Sequence, residues 1–220
     1  MKAIPIDWQN ISTVFLDMDG TLLDLHFDNH FWLEHIPKRY AEKYDLTLAE
    51  ASKDLEERAA TIVGTLDWYC LDYWKKDLGM DIVSLKHEVA EKIAVRDKVV
   101  EFLEYLRSLD KRIVLLTNAH HKTLELKFSY VNIEHYFDRI ITSHDIGIAK
   151  EEDGFWDSLE KVEAFSREHS LFIDDNLDVL KAAKKSGVGY LLSISKPDSQ
   201  QKSKDTEGFI AVDCYTQLLS

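Results

Sequence analysis

Two aspartates near the start of the chain are spaced so that their side chains can act together. Asp17 and Asp19 follow an apolar run at residues 14–16 and precede Gly20 and Thr21. In extended chain, side chains at i and i+2 point the same way, and a glycine lets the backbone turn sharply close to a ligand. Paired carboxylates at a strand end suit a hard cation and attack through oxygen. Asp-Gly between apolar residues is also a strong hairpin signal, so this stretch alone is equally compatible with a simple turn.

Three further groups of polar residues stand later in the chain, and each follows an apolar run typical of a strand. Taken singly, each has an ordinary explanation: a strand end with a turn, a solvated loop lysine, or acids that cap a helix. All of them occurring in order, each after a predicted strand, favours one shared site. The groups are Thr117 with Asn118, then Lys150, then Asp174 with Asp175.

Strands and helices alternate through most of the sequence, and this rhythm predicts how the polar groups are positioned. The alternation favours an α/β fold with a doubly wound, mainly parallel sheet covered by helices on both faces. In such a sheet the ligand crevice lies beyond the carboxyl ends of the strands, where the candidates fall. Strands are predicted at residues 12–17, 113–116, 139–142, 171–173, 190–192 and 209–212, with helices at 99–106, 123–131, 155–167 and 179–185.

Between the first two strands the pattern is helical throughout. Thr47 and Glu50 form a capping box that begins a helix, and Gly64 is a plausible end for it. Further helices are predicted at residues 68–78 and 82–89. We therefore predict a small all-helical insert at residues 25–95, within a core made of residues 1–24 and 96–220.

Composition narrows the possible partners and location. The net charge is −13, from 27 basic and 40 acidic residues, and this average field repels a nucleic-acid polymer or an anionic membrane. No apolar run has the length of a signal peptide or a transmembrane helix. Cys70 and Cys214 lie far apart, which favours buried reduced thiols. The expectation is a cytoplasmic protein that acts on a small molecule.

The candidate residues together suit magnesium-dependent phosphoryl transfer. Mg²⁺ prefers one or two carboxylates plus water and phosphate oxygens, and Asp17 and the Asp174–Asp175 pair can supply the carboxylates. Asp17 can attack phosphorus to form an aspartyl-phosphate, while Asp19 protonates the leaving oxygen and later activates water.

The phosphoryl group itself needs donors and a compensating positive charge. The Thr117 hydroxyl and nearby amides can hold its oxygens, and Lys150 can offset the crowded negative charge. A small-molecule phosphate monoester is thus the expected partner.

These motifs resemble those of haloacid dehalogenase superfamily phosphohydrolases. The matches are D-M-D-G-T at residues 17–21, L-L-T-N at 115–118, a lysine at 150 and F-I-D-D at 172–175. The resemblance implies a Rossmann-like core, with the helical insert at the position of the family's C1 cap.

The resemblance also implies roles for the matching residues. Asp17 would be the nucleophile and Asp19 the acid/base. Mg²⁺ would be bound by Asp17, the Asp19 backbone carbonyl and an acid of the fourth motif, Asp174 or Asp175. A second version of that motif has its acid four residues on, at Asp178, and we favour the adjacent pair. Phosphate contacts would come from Thr117, Asn118 and Lys150, although Ala149 stands where the family often has proline.

Two aromatic stretches of the insert bear on the substrate. L-D-W-Y-C-L-D-Y-W at residues 66–74 holds four aromatic rings, which can stack on a nucleobase or simply pack the insert's own core. This stretch and F-D-N-H-F-W at 27–32 resemble the purine 5′-nucleotidase branch of the superfamily, which implies GMP- or IMP-like substrates. Candidate substrate contacts are Asn29, Trp68, Tyr69 and Tyr73. The alternatives are a sugar-phosphate phosphatase or phosphomutase, and a non-catalytic binding or regulatory module.

Overall fold

One parallel sheet forms the centre of the molecule. The computed structural model describes residues 3–219, and in this part of the chain six strands pair in the order β3-β2-β1-β4-β5-β6, all parallel. The strands are β1 (Thr13–Leu16), β2 (Arg112–Thr117), β3 (Arg139–Thr142), β4 (Ser170–Asp174), β5 (Tyr190–Ile194) and β6 (Ile210–Val212). This is the doubly wound order, so the predicted fold class is confirmed.

The strand order places the ends of β1 and β4 side by side. β1 pairs with β2 on one edge and with β4 on the other, with Leu16 opposite both Leu115 and Ile173. The chain runs outward from β1 to β3 and then returns to the other side of β1 with β4. Ligands bind at such a reversal point in doubly wound sheets.

Both faces of the sheet are buried, because successive side chains of each strand enter opposite layers. Val14 and Leu16 of β1 pack in one hydrophobic cluster and Phe15 in the other. All four β1 residues are buried, as expected for a central parallel strand. The helices that follow β1 in the core are α7 (Val99–Ser108), α8 (His121–Tyr130), α9 (Ser143–Ile146), α10 (Phe155–Val162) and α11 (Leu177–Lys185).

The segment between β1 and β2 contains helices and isolated bridges but no strand, and every residue of it is described. Its two connections to the sheet pair with each other: Asp24 N donates to Ala94 O at 2.9 Å and Arg96 N donates to Leu22 O at 3.0 Å. We propose these connections as the boundaries of a cap domain at residues 25–95. The helices are α1 (His26–His30), a π-helical turn (Phe31–His35), α2 (Ile36–Tyr44), α3 (Leu48–Ala60), α4 (Leu66–Tyr69), α5 (Leu71–Leu78) and α6 (Ile82–His87).

Two sequence-based helix predictions differ from the structure. The single helix predicted at 68–78 is broken at Cys70, whose backbone is extended and whose sulfur accepts a hydrogen bond from Tyr73 N at 3.5 Å. Trp74 Nε1 donates to the Trp68 carbonyl at 2.9 Å, which stabilises the break. The helix predicted at 155–167 ends at Val162. The insert as a whole was predicted to be helical, but no individual helices were predicted within residues 26–44.

Two smaller sequence predictions meet different outcomes. The capping box at Thr47 is confirmed, with the Glu50 carboxylate accepting from Thr47 N at 2.9 Å. Cys70 and Cys214 are free thiols, but they are half-buried and not buried as expected. None of the helices within residues 3–219 is long and apolar enough to cross a membrane.

Candidate active site

The polar residues predicted to share a site lie around one cavity of about 510 Å³ at the carboxyl edge of the sheet. The end of β1 provides Asp17 and Asp19, the end of β2 provides Thr117 and Asn118, and the end of β4 provides the acid pair. Lys150 reaches the cavity from the loop after α9. The cavity lining therefore includes Asp17, Asp19, Thr117, Asn118, Lys150, Asp174 and Asp175.

Lys150 holds the centre of this site together. Its ammonium donates to Asp17 Oδ1 at 2.6 Å, to Asp174 Oδ2 at 2.6 Å and to the Leu116 carbonyl at 3.2 Å. The lysine side chain is fully buried. Its backbone is fixed as well, since Lys150 N donates to Asn118 Oδ1 at 3.0 Å. Asn118 thus uses its side chain to position the lysine loop.

Burial raises the pKa of each carboxyl group here. The pKa values of Asp17, Asp174 and Asp175 rise to about 6, because desolvation disfavours their charged forms more than the neighbouring ammonium groups favour them. Burial alone would lower the pKa of Lys150, but the carboxylates of Asp17 and Asp174 raise it above its ordinary value. Lys150 therefore stays charged between them.

Three acids form a cluster that fits a divalent cation. Each of Asp17, Asp174 and Asp175 offers a carboxylate oxygen, and these oxygens lie within 4.8 Å of one another. Hard oxygen donors of this kind suit Mg²⁺. Asp178 lies elsewhere: its side chain is 77% exposed and pairs with Lys181 at 3.0 Å. The structure thus brings the adjacent acid pair together with Asp17 and leaves Asp178 outside the cluster.

Asp19 belongs to a second group of charges on the side of the cavity that faces the insert. Its Oδ1 accepts from Lys127 Nζ of α8 at 2.5 Å, and the same ammonium donates to Asp28 Oδ2 of α1 at 2.6 Å. Lys86 of α6 donates to Asp28 Oδ1 at 2.9 Å. Burial raises the pKa of Asp19 to about 6. Burial would also raise the pKa of Asp28, but Lys127 and Lys86 lower it to about 2.

The insert covers the cavity with aromatic side chains. Trp68, Tyr69, Trp32 and Trp74 all line it, and so does Asn29. The Trp74 ring lies 5.4 Å from Trp32 and 5.9 Å from Trp68, centroid to centroid, so the indoles form a continuous wall. Trp32 and Trp74 were not among the predicted substrate contacts.

Hydrogen bonds tie the insert to the core across the cavity. Tyr69 Oη donates to Glu151 Oε1 at 2.7 Å, next to Lys150 in sequence, and Asn118 Nδ2 donates to the other oxygen of Glu151 at 2.8 Å. Asn29 Nδ2 donates to Asp198 Oδ2 at 2.7 Å. Tyr69 and Asn29 thus each use a polar side-chain atom to hold the insert against the core beside the cavity.

Tyr73 lies outside the set of residues that line the cavity. Its ring packs edge-on against Trp74, with centroids 5.6 Å apart and planes at 89°. The structure therefore does not bring Tyr73 to the cavity, and its role as a substrate contact stays a prediction. His120 lines the cavity, whereas His121 pairs with Asp145 at 3.1 Å.

Several charged residues of the site carry no signal in the sequence. Lys127 stands in an otherwise ordinary helix, Glu151 in a polar loop and Lys204 in the loop before β6, and no local pattern marks them. Lys204 Nζ donates to the Asp175 carbonyl. Each became recognisable only through its long-range partner.

Comparison with known proteins agrees with this geometry. A family model described as haloacid dehalogenase-like hydrolase matches residues 11–187. The protein named GMP/IMP nucleotidase YrfG of Escherichia coli (strain K12) is 36% identical over 216 residues, covering 98% of this chain and 97% of that protein.

Solved structures share the fold. The crystal structure of a HAD phosphatase from Thermococcus onnurineus has a TM-score of 0.74 at 20% identity and covers 94% of this chain and 95% of its own. A HAD family enzyme from Bacteroides thetaiotaomicron, in complex with magnesium and inorganic phosphate, has a TM-score of 0.59 at 14% identity, covering 84% and 95%.

Gly20 provides a test of how tightly the metal cluster is packed. Its φ is +81°, and a Cβ at this position would lie 2.7 Å from Asp175 Cγ. Gly64 has a φ of +80° with nothing within 4 Å of such a Cβ, so it is a matched control. Each change to alanine should cost about 1–2 kcal/mol of unfolding free energy, because both force the left-handed region.

Only Gly20→Ala should also displace Asp175 and lower the enzymatic rate. Urea unfolding and steady-state turnover of both variants measure the two effects separately. Equal turnover in the two variants would contradict the packing of Gly20 against Asp175.

Proposed function

Because the chain belongs to the haloacid dehalogenase-like hydrolase family, we propose that it hydrolyses purine nucleoside 5′-monophosphates of the GMP and IMP type, with Mg²⁺. The chain is a phosphoric monoester hydrolase; the substrate, the metal and the residue roles below are our proposal. The observation that supports it most is the buried Asp17, which pairs with Lys150 and belongs to an acid cluster in a cavity that is also lined by aromatic rings.

In the first step Asp17 is the nucleophile. One of its carboxylate oxygens attacks phosphorus, and the bond from phosphorus to the ester oxygen breaks with its electron pair going to that oxygen. Asp19 gives the ester oxygen a proton as the alcohol leaves. The raised pKa of Asp19, about 6, suits a carboxyl group that must carry a proton near neutral pH.

In the second step water cleaves the aspartyl-phosphate. Asp19, now a carboxylate, takes a proton from the water as its oxygen attacks phosphorus. The bond from phosphorus to the Asp17 oxygen breaks, its electron pair returns to the carboxylate, and inorganic phosphate leaves. Asp19 then holds the proton needed for the next cycle, so the enzyme returns to its starting state.

Phosphate-oxygen contacts would come from the end of β2 and from the loop after α9. The Thr117 hydroxyl oxygen accepts from Ala119 N at 3.0 Å, so its own proton is available to a phosphoryl oxygen. The Lys150 ammonium stabilises the negative charge that gathers when a phosphate approaches Asp17. Asn118 acts on this step through its hold on the Lys150 loop.

Mg²⁺ would be held by Asp17, the Asp174–Asp175 pair and the Asp19 backbone carbonyl, and when bound it would neutralise phosphoryl oxygens. The donor set supports this assignment because it consists of oxygen ligands only. Asp175 additionally packs against Gly20, which leaves its carboxylate little freedom.

The substrate assignment has two supports. The relative named GMP/IMP nucleotidase is 36% identical along nearly the whole chain. The indole rings of Trp32, Trp68 and Trp74 line the cavity with aromatic surface on which a base can stack, and a cavity of about 510 Å³ is in the range of small-molecule sites. Two free half-buried thiols support a reducing, cytoplasmic location.

Phosphate release from a panel of substrates tests the assignment. The panel contains GMP, IMP, AMP, CMP, UMP and hexose phosphates, each with Mg²⁺ and with EDTA. We expect metal-dependent turnover that is highest for GMP and IMP, because the cavity pairs a phosphate site with an aromatic wall. Preference for hexose phosphates would overturn the substrate, and undiminished turnover in EDTA would overturn the metal requirement.

Asp17→Asn tests the nucleophile. The amide keeps the shape of the side chain but cannot form the acyl-phosphate, so steady-state turnover should vanish while circular dichroism and the melting temperature show a folded protein. Asp178→Asn is the matched control: this exposed acid stands outside the cluster, so its loss should leave turnover unchanged. Substantial activity of folded Asp17→Asn would remove Asp17 from the role.

A further inference from the structure

Lys127 is a buried ammonium that touches both the core and the insert at the cavity. It stands in the last turn of α8, is 1% exposed, and donates to Asp19 Oδ1 at 2.5 Å and Asp28 Oδ2 at 2.6 Å. Asp19 itself is 23% exposed and faces the cavity. The lysine therefore lies behind Asp19, shielded from solvent and in direct contact with the carboxyl group.

Asp28 is in turn held from two sides. One oxygen accepts from Lys127 and the other from Lys86, and Lys86 is also fully buried. Both ammonium groups lie against the Phe27 ring, at 5.2 Å for Lys127 and 4.9 Å for Lys86. The charges alternate through this row, so every member has an opposite neighbour and a defined place.

Stability alone gives little reason to bury such a row. The free energy needed to desolvate four charged groups is about as large as the free energy gained from their mutual attraction. Well-packed apolar residues in the same place often give equal stability. A row of this kind is explained more simply by what its exposed end does. That end is Asp19, whose side chain lines the cavity and is the most exposed of the four at 23%.

We propose that Lys127 is a positioning residue for proton transfer by Asp19, and that Asp28 of the insert keeps Lys127 in place. The inference rests on the proposed function, in which Asp19 handles the proton. Because Asp19 Oδ1 accepts from Lys127, the transferable proton belongs to Oδ2. It passes from Oδ2 to the ester oxygen as the bond to phosphorus breaks and the electron pair moves onto that oxygen. Without Lys127 the carboxyl group loses this orientation.

The arrangement also connects Asp19 to the insert. Asp28 belongs to α1, the first helix after the connection from the core, and contacts Lys127 because the insert packs over the cavity. Helix α1 therefore both positions Lys127, through Asp28, and covers the cavity. The orientation of Asp19 is completed only with the insert in this position.

The test compares two aryl phosphates of nearly the same shape. Phenolate is a poor leaving group that benefits from a proton, whereas 4-nitrophenolate departs without one. The quantity to measure is kcat/KM, since it includes steps only up to the departure of the alcohol and excludes the later hydrolysis. For Lys127→Met we expect a loss of about 10²-fold or more with phenyl phosphate, the scale of general acid catalysis, and a far smaller loss with 4-nitrophenyl phosphate.

Lys122→Met is the matched control. Lys122 stands on the same helix, is 44% exposed, and forms its own ion pair with Asp72 of the insert at 2.6 Å, away from Asp19. Its loss should change both rates equally and by no more than about fivefold, because exposed ion pairs contribute little. Equal losses for the two substrates in Lys127→Met, or no loss with phenyl phosphate, would overturn the positioning role.

Asp19→Ala separates this inference from the function on which it rests. If Asp19→Ala lowers the phenyl phosphate rate selectively and Lys127→Met does not, the positioning role fails and the function stands. If Asp19→Ala shows no selectivity, the proton-transfer role of Asp19 fails. Neither aryl phosphate contains a purine, so these results do not depend on the base preference.

Circular dichroism and 4-nitrophenyl phosphate turnover show whether Lys127→Met folds. If it does not fold, Asp28→Asn provides the test instead. The amide keeps the size of the side chain but weakens its hold on Lys127. A selective loss of kcat/KM for phenyl phosphate supports the inference. An equal change for both substrates overturns it.

Discussion

One buried ion pair system, Lys150 between Asp17 and Asp174, is the constraint on which the rest of the site depends. Carboxylates buried without a partner would be neutral or would destabilise the fold by several kcal/mol each. The ammonium at 2.6 Å from both oxygens lets two of them lie side by side at the ends of β1 and β4. The parallel strand order puts those ends together, and Asn118 fixes the loop that brings the lysine. Asp175 adds a further negative charge, which favours a bound cation.

The cavity has a second ordered set of charges on its opposite side. Asp19, Lys127, Asp28 and Lys86 alternate in sign from the core into the insert. A chain with a net charge of −13 thus contains local cations where an anionic substrate must approach. The indole rings of the insert line the same cavity. The core thus contributes the acid cluster and Lys150 to the cavity, and the insert contributes the indole rings.

Much of the fold, and the grouping of the candidate residues around one cavity, could be predicted because the sequence signals are local. Apolar runs predict the strands, and an apolar run is directly followed by Asp17, by Thr117 and by Asp174. The residues that sequence reasoning missed depend on distant partners. In the sequence, Lys127 is an ordinary helical lysine and Glu151 an ordinary loop acid. Only the folded chain shows that Lys127 binds Asp19 and Asp28 and that Glu151 binds Tyr69. The helix break at Cys70 likewise depends on the Trp74 indole reaching the Trp68 carbonyl.

The central claim is that Asp17 becomes phosphorylated during turnover. The most direct measurement mixes the enzyme with labelled substrate and Mg²⁺, stops the reaction in acid within milliseconds, and maps the label by mass spectrometry of peptides. If Asp17 is the nucleophile, the peptide that contains Asp17 carries a phosphoryl group. Hydroxylamine should release that group, as expected for an acyl-phosphate. Label on another residue, or rapid phosphate release with no labelled peptide at any time, would contradict it.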